Sequence, residues 1–158
     1  MSDRRDVEWG APEPFVVEIT VDEAAIDGLG HANNSMYMRW SEQVGWAHSE
    51  SLQLGLGRWL ELDRALATHR AVLNFRAPCF LGDHLLAATW IIKSDGRLLT
   101  TRRFEIRRAG DGKLLFDAEV DYACISIESG RPKRFPPEFT ERFIVLPAVQ
   151  KWMSQRAE

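Results

Sequence analysis

One long stretch of helical period, followed by three strand-like stretches joined by tight turns, constrains this chain more than any other feature. From Ser35 to about Leu54, the residues Met36, Tyr37, Trp40, Val44, Ala47 and His48 recur at steps of three and four, the spacing of one helix face. Met38 and Trp46 add bulk to the other side, so the helix is predicted to be well buried. Asn33, Asn34 and Ser35 stand before it as cap formers, and Gly55 is the expected breaker after it. Beyond residue 70 the period changes to two. Leu98 to Arg108 places Phe104 and Ile106 opposite Arg103, Glu105 and Arg107. Leu114 to Ile127 places Phe116, Ala118, Val120, Tyr122 and Cys124 opposite Asp117, Glu119 and Asp121. Ser94-Asp95-Gly96-Arg97 and Ala109-Gly110-Asp111-Gly112 read as turns between these stretches and the apolar run His84 to Lys93, which makes an antiparallel meander.

A single helix is too little to cover both faces of a parallel sheet. The expected class is therefore α+β: a five-stranded antiparallel sheet, opened by Phe15 to Val21 and continued after the helix by four strands in a meander that starts with the alternating residues 71–76, curled around one central helix. Residues 1–13 read as a loose arm, 14–145 as the domain, and 146–158 as a partly helical tail in which Pro147 forbids one long helix. The outer face and edges of such a sheet call for a partner.

At 158 residues, with 45% hydrophobic and 27% charged residues, the chain has the proportions of one globular domain. A formal charge of −3 gives no field for nucleic acid. No apolar run is long enough to span a membrane, and the charged start reads as carrying no secretory signal. Cys79 and Cys124 are then expected as reduced thiols in the cytoplasm. Of the arginines, those at 102, 103, 107 and 108 read as a solvated face, with contact to phosphates as the other reading. Trp40 and Trp90 read as core, whereas Trp46 or Trp59 is suited to line a cavity.

The segment Ile26-Asp27-Gly28-Leu29-Gly30-His31-Ala32-Asn33-Asn34 gathers an acid, glycines, a histidine and asparagines just ahead of the buried helix. Free N–H groups and the positive dipole end at such a tip polarise a carbonyl oxygen or hold an anion. Helix capping and a plain turn account for the same residue types equally well on spacing alone.

This run, with Tyr37 and Trp40 following, resembles the hotdog-fold acyl-CoA thioesterases, most of all the 4-hydroxybenzoyl-CoA thioesterase-like group. Phe75-Arg76-Ala77-Pro78 with Gly82-Asp83, and Ser129-Gly130-Arg131-Pro132 with Pro136, are similar to further motifs of that family. The resemblance covers about residues 15–140. It implies hydrolysis of an acyl-CoA or acyl-carrier thioester, with Asp27 as the catalytic carboxylate and the Asn34 backbone N–H on the thioester oxygen. His31 and Asn33 match a His-x-Asn pattern in which roles differ between relatives. Gly30, Tyr37 and Arg131 are the implied substrate contacts. Some relatives carry a catalytic Glu within the helix; here Glu42 and Glu50 are the only candidates, and neither is chosen. No metal or organic cofactor is implied, and a homodimer or homotetramer is. An enoyl-thioester hydratase and a non-catalytic acyl-CoA-binding module are the alternative readings.

Overall fold

The computed structural model describes residues 7–156. Five strands, β1 (Phe15–Thr20), β2 (Ala65–Phe75), β3 (His84–Ser94), β4 (Leu99–Arg108) and β5 (Leu114–Ile125), form one sheet in the order β1-β3-β4-β5-β2. Every neighbouring pair is antiparallel. The helix α1 (Asn34–Ser51) packs on β1, β3 and β4. Short helices α2 (Leu56–Glu61), α3 (Pro137–Arg142) and α4 (Pro147–Arg156) complete the chain. Among the described residues, no helix is long and apolar enough to cross a membrane.

The core forms where α1 meets the sheet. Tyr37, Trp40 and Val44 lie one and two turns apart and are buried against Phe104, Ile106, Phe116, Ala118 and Val120, alternate residues of β4 and β5. The ring of Tyr37 stacks on Phe116 at 5.3 Å and meets Trp40 edge-on at 5.4 Å. α1 ends at Ser51, earlier than Gly55, because Gln53 takes the left-handed turn at φ 62° and returns the Leu54 N–H to the Ser49 carbonyl. The tail breaks between α3 and α4, with Pro147 opening the second helix.

Two sequence expectations change. The Asp-Gly turns do join β3, β4 and β5 in sequence, but β2 crosses to the far edge and pairs with β5. Residues 7–13 are no loose arm (residues 1–6 lie outside the described residues). Ala11 is buried beside Trp90 and Val149. The Trp90 indole N–H donates to the Pro12 carbonyl at 2.8 Å. The Gly10 N–H donates to both carboxylate oxygens of Glu105, at 3.2 and 3.1 Å. A Cβ at Gly10 would sit 2.5 Å from one of these oxygens, so this close approach requires glycine.

Candidate functional site at the tip of the central helix

The residues ahead of α1 form a narrow turn. Ile26 bridges to Ala32, the Asp27 N–H donates to the His31 carbonyl, and the Gly30 N–H donates back to the Asp27 carbonyl. Gly30 closes this turn at φ 85°, which only glycine adopts freely. Two further bonds fix the turn in place. The Ala32 N–H donates to the Cys79 carbonyl at 2.9 Å, and the Asn33 N–H to the Ala25 carbonyl at 2.8 Å. The turn is thereby tied to the loop that follows the Phe75 end of β2.

Within it, Asp27 is half-buried, and one carboxylate oxygen accepts from the Leu29 N–H at 2.8 Å. Among the described residues, the other oxygen has no donor. The Asn33 side chain caps α1, accepting from the Ser35 N–H at 2.9 Å and the Ser35 hydroxyl at 2.8 Å. That leaves the exposed Asn34 N–H, at the positive end of an 18-residue helix, without an acceptor among the described residues. The arrangement offers an oxyanion donor and a carboxylate oxygen in the same short segment.

The other residues singled out by sequence are placed less uniformly. The His31 ring packs edge-on against Phe80 at 6.3 Å and makes no hydrogen bond to the Asp27 carboxylate. Tyr37 is in the core, its hydroxyl 3.4 Å from the Ala77 carbonyl and 3.5 Å from Cys79 Sγ. Burial pushes both the Tyr37 hydroxyl and the Cys79 thiol upward, so neither is a ready nucleophile. Arg131 is exposed in the turn after β5, tied to Ser126 through its carbonyl. That is the Ala65 end of β2, since Ala65 pairs with Ile125. Eleven residues of strand, about 33 Å, separate it from the Phe75 end, so one chain does not bring Arg131 to Asp27. Four cavities among the described residues are lined by other residues than Asp27, His31, Asn33 and Asn34.

The arginines of β4 are not a solvated face. Arg103 and Arg107 flank the buried Glu105, and Arg108 pairs with Asp83 and Asp111. Arg102 is only 3% exposed. Its guanidinium donates to His48 Nδ1 at 2.9 Å, the Thr89 hydroxyl, the Gly45 carbonyl and the Ser49 hydroxyl. A signal for this was present in the sequence, since 102, 104 and 106 share one strand face.

Because His48 Nδ1 accepts from a cation, the ring is neutral. Burial first, then the Arg102 charge, lowers its pKa from 6.5 to about 4. A depressed folded-state pKa contributes stability that is fully present above pH 6.5 and is lost as the pH falls toward 4. The loss amounts to about 3 kcal/mol. Urea unfolding from pH 7 to pH 4.5 is expected to show this decline, and His48→Gln is expected to flatten it. An unchanged slope in the variant would contradict the assignment.

Comparison with known proteins gives the chain a family and a fold. A family model described as the thioesterase-like superfamily matches residues 21–143. The chain belongs to this superfamily. Comparison with the curated proteins finds no match. Among solved structures, a 1,4-dihydroxy-2-naphthoyl-CoA thioesterase from Synechocystis is 24% identical, with a TM-score of 0.75 over 82% of this chain and 95% of that one. The DHNA-CoA thioesterase of Staphylococcus aureus is 17% identical, with a TM-score of 0.77 over 92% and 95%. The Staphylococcus aureus protein SAV2348, solved in complex with CoA, is 20% identical, with a TM-score of 0.76 over 90% and 94%. This likeness shows the fold: the thioesterase-like chain has a hotdog sheet wrapped on α1.

Proposed function

We propose that the chain hydrolyses acyl-CoA thioesters at sites shared between two copies of itself. The observation that carries this reading is the acceptor-free Asn34 N–H at the tip of α1, held in one segment with the Asp27 carboxylate. The superfamily membership and the CoA-bound relative support the substrate class.

In this reading the thioester carbonyl oxygen accepts from Asn34 N–H, which stabilises the negative charge that develops there. Such a donor contributes on the order of 3 kcal/mol to the transition state. The free Asp27 oxygen takes a proton from water or attacks the carbonyl itself. With water as nucleophile, the new C–O bond forms, the C–S bond breaks to give the free acid, and coenzyme A leaves as thiolate and takes up the proton that Asp27 removed. On direct attack the C–S bond breaks to give an acyl anhydride of Asp27, which water then hydrolyses to the free acid and the Asp27 carboxylate. Single turnover in labelled water separates the two routes, because only direct attack leaves label in the Asp27 carboxylate.

The second copy follows from the sheet edge. β2 has a neighbour on one side only, and Val72 and Phe75 on it are 47% and 48% exposed. A two-fold axis through this edge pairs β2 with β2 in antiparallel fashion. The Ala65 end of one copy then lies beside the Phe75 end of the other, which brings Arg131 of one copy toward the Asp27 turn of its mate. Cys79 and Cys124 are buried free thiols, which fits work in the reducing cytoplasm.

The test is thiol release from a panel of aryl-CoA and acyl-CoA esters of varied length. Turnover of at least one ester is expected. Loss of enoyl absorbance without free thiol would instead identify a hydratase, and binding without any release an acyl-CoA-binding module. Val72→Asp places like charges across the paired edge. It is expected to shift light scattering from dimer or larger to monomer, with loss of turnover. A fully active monomer would overturn the shared site.

A further inference from the structure

The guanidinium of Arg102 is a buried charge without a counter-ion. Its partners are neutral: an imidazole, two hydroxyls and a carbonyl, with the Phe143 ring 4.6 Å away. Burial lowers its pKa only to about 10, so it stays protonated at neutral pH. Among the described residues no carboxylate pairs with it, and its Nε–H, beside Gly45, has no acceptor. Holding such a charge costs several kcal/mol, and an apolar side chain of similar volume would serve packing better.

Arg102 also lines a cavity of about 240 Å³ between α1 and the sheet, with Ser41, Trp46, Trp59, Leu66 and Tyr122 around it. A cavity of about 150 Å³ holds one benzene ring, so this one admits a compact acyl group with a polar end. Two other charged groups line it. Glu42 is exposed and makes no ion pair with Arg102. Arg64 is occupied by the carbonyls of Arg134 and Leu62. Tyr122 feels the Arg102 charge and brings a hydroxyl to the same wall. Arg64, Ala65 and Ile127 line the cavity at the Ala65 end of β2, which the proposed β2–β2 pairing sets next to the mate's Asp27 turn.

We propose that this cavity receives the acyl group of a thioester whose far end carries a carboxylate, and that Arg102 selects that carboxylate. The placement of the scissile carbonyl rests on the hydrolase reading above; the binding of the carboxylate does not. The carboxylate accepts from the Arg102 Nε–H and supplies the missing counter-ion. A charge-assisted hydrogen bond of this kind corresponds to about tenfold or more in affinity.

The experiment compares adipoyl-CoA with hexanoyl-CoA, which differ only in the terminal carboxylate. Binding is read on the turnover-impaired Asp27→Asn protein through tryptophan fluorescence, since Trp46 and Trp59 line the cavity. Adipoyl-CoA is expected to bind about tenfold or more tightly. With Arg102→Met added, the two affinities are expected to converge, and Arg102→Lys is expected to retain part of the difference. Equal affinities in the Asp27→Asn protein, or a preference that survives Arg102→Met, would overturn the assignment. If Arg102→Met fails to fold, the comparison of the two esters on the Asp27→Asn protein still decides. Thiol release by the unaltered protein is read in parallel. No release from any ester of the panel, with the binding preference intact, would overturn the hydrolase reading and leave this assignment standing.

Discussion

Asp27→Asn is expected to lower thiol release by about a thousandfold, within the range contributed by a positioned acid–base group, with stability almost unchanged. The reasoning separates the two jobs of the residue. One side-chain oxygen accepts from the Leu29 N–H at 2.8 Å and holds the turn. An asparagine keeps that acceptor, so the turn and the entry to α1 persist. What it loses is the charge and the basic oxygen that water or the thioester meets. Asp27→Ala removes both, and is expected to lose stability as well as turnover. Thiol release and thermal melting of the two variants check this. An Asp27→Asn protein within a fewfold of parental activity would refute the role given to the carboxylate.

The second large effect concerns Glu105, whose side chain is wholly buried on β4. Arg107 donates to one of its oxygens at 2.9 Å and Arg103 to the other at 3.2 Å, and the Gly10 N–H bridges both. Glu105→Ala leaves two mostly buried guanidinium groups and one N–H without their acceptor. Breaking a buried ion pair from one side costs about 3–5 kcal/mol. The segment 7–13 is expected to loosen with it, because its other ties are the Trp9 ring against Trp90 and Arg107, the buried Ala11 and the Pro12 carbonyl bond. Urea unfolding measures the first effect, and proteolysis within residues 7–13 the second. Glu105→Gln keeps acceptor oxygen and is expected to lose less. A Glu105→Ala protein within 1 kcal/mol of the parent, on the order of a surface change, would contradict this account.

Local pattern and long-range pairing differed in how far they could be read from the chain. The period of Met36 to His48 and the Asp-Gly turns express α1 and the β3-β4-β5 meander directly, because both are set by neighbours a few residues apart. The crossing of β2 to the far edge is not local. Nothing within residues 65–75 states that their partner is β5. The helix-tip segment was legible as a cluster of residue types, and the resemblance gave it a role. Which member does what came from geometry: Asn33 spends its side chain on Ser35, and Tyr37 spends its ring on the core. Arg102 and Glu105 were misread. Grouping Arg102 with its arginine neighbours reads it as solvent-facing, whereas it borders a cavity under α1, and Glu105 is sealed beneath residues 7–13, which no local pattern states. Arg131 stays apart from Asp27 within one chain, at the other end of β2; in the proposed assembly they meet through a second copy.

The most direct test is a crystal structure of Asp27→Asn bound to a non-hydrolysable ketone analogue of an accepted acyl-CoA. The carbonyl oxygen is expected within about 3 Å of the Asn34 N–H, beside the residue 27 side chain, with the acyl group entering the neighbouring copy. A carbonyl bound far from the tip of α1, with Asn34 N–H facing only solvent, would contradict the mechanism at its centre.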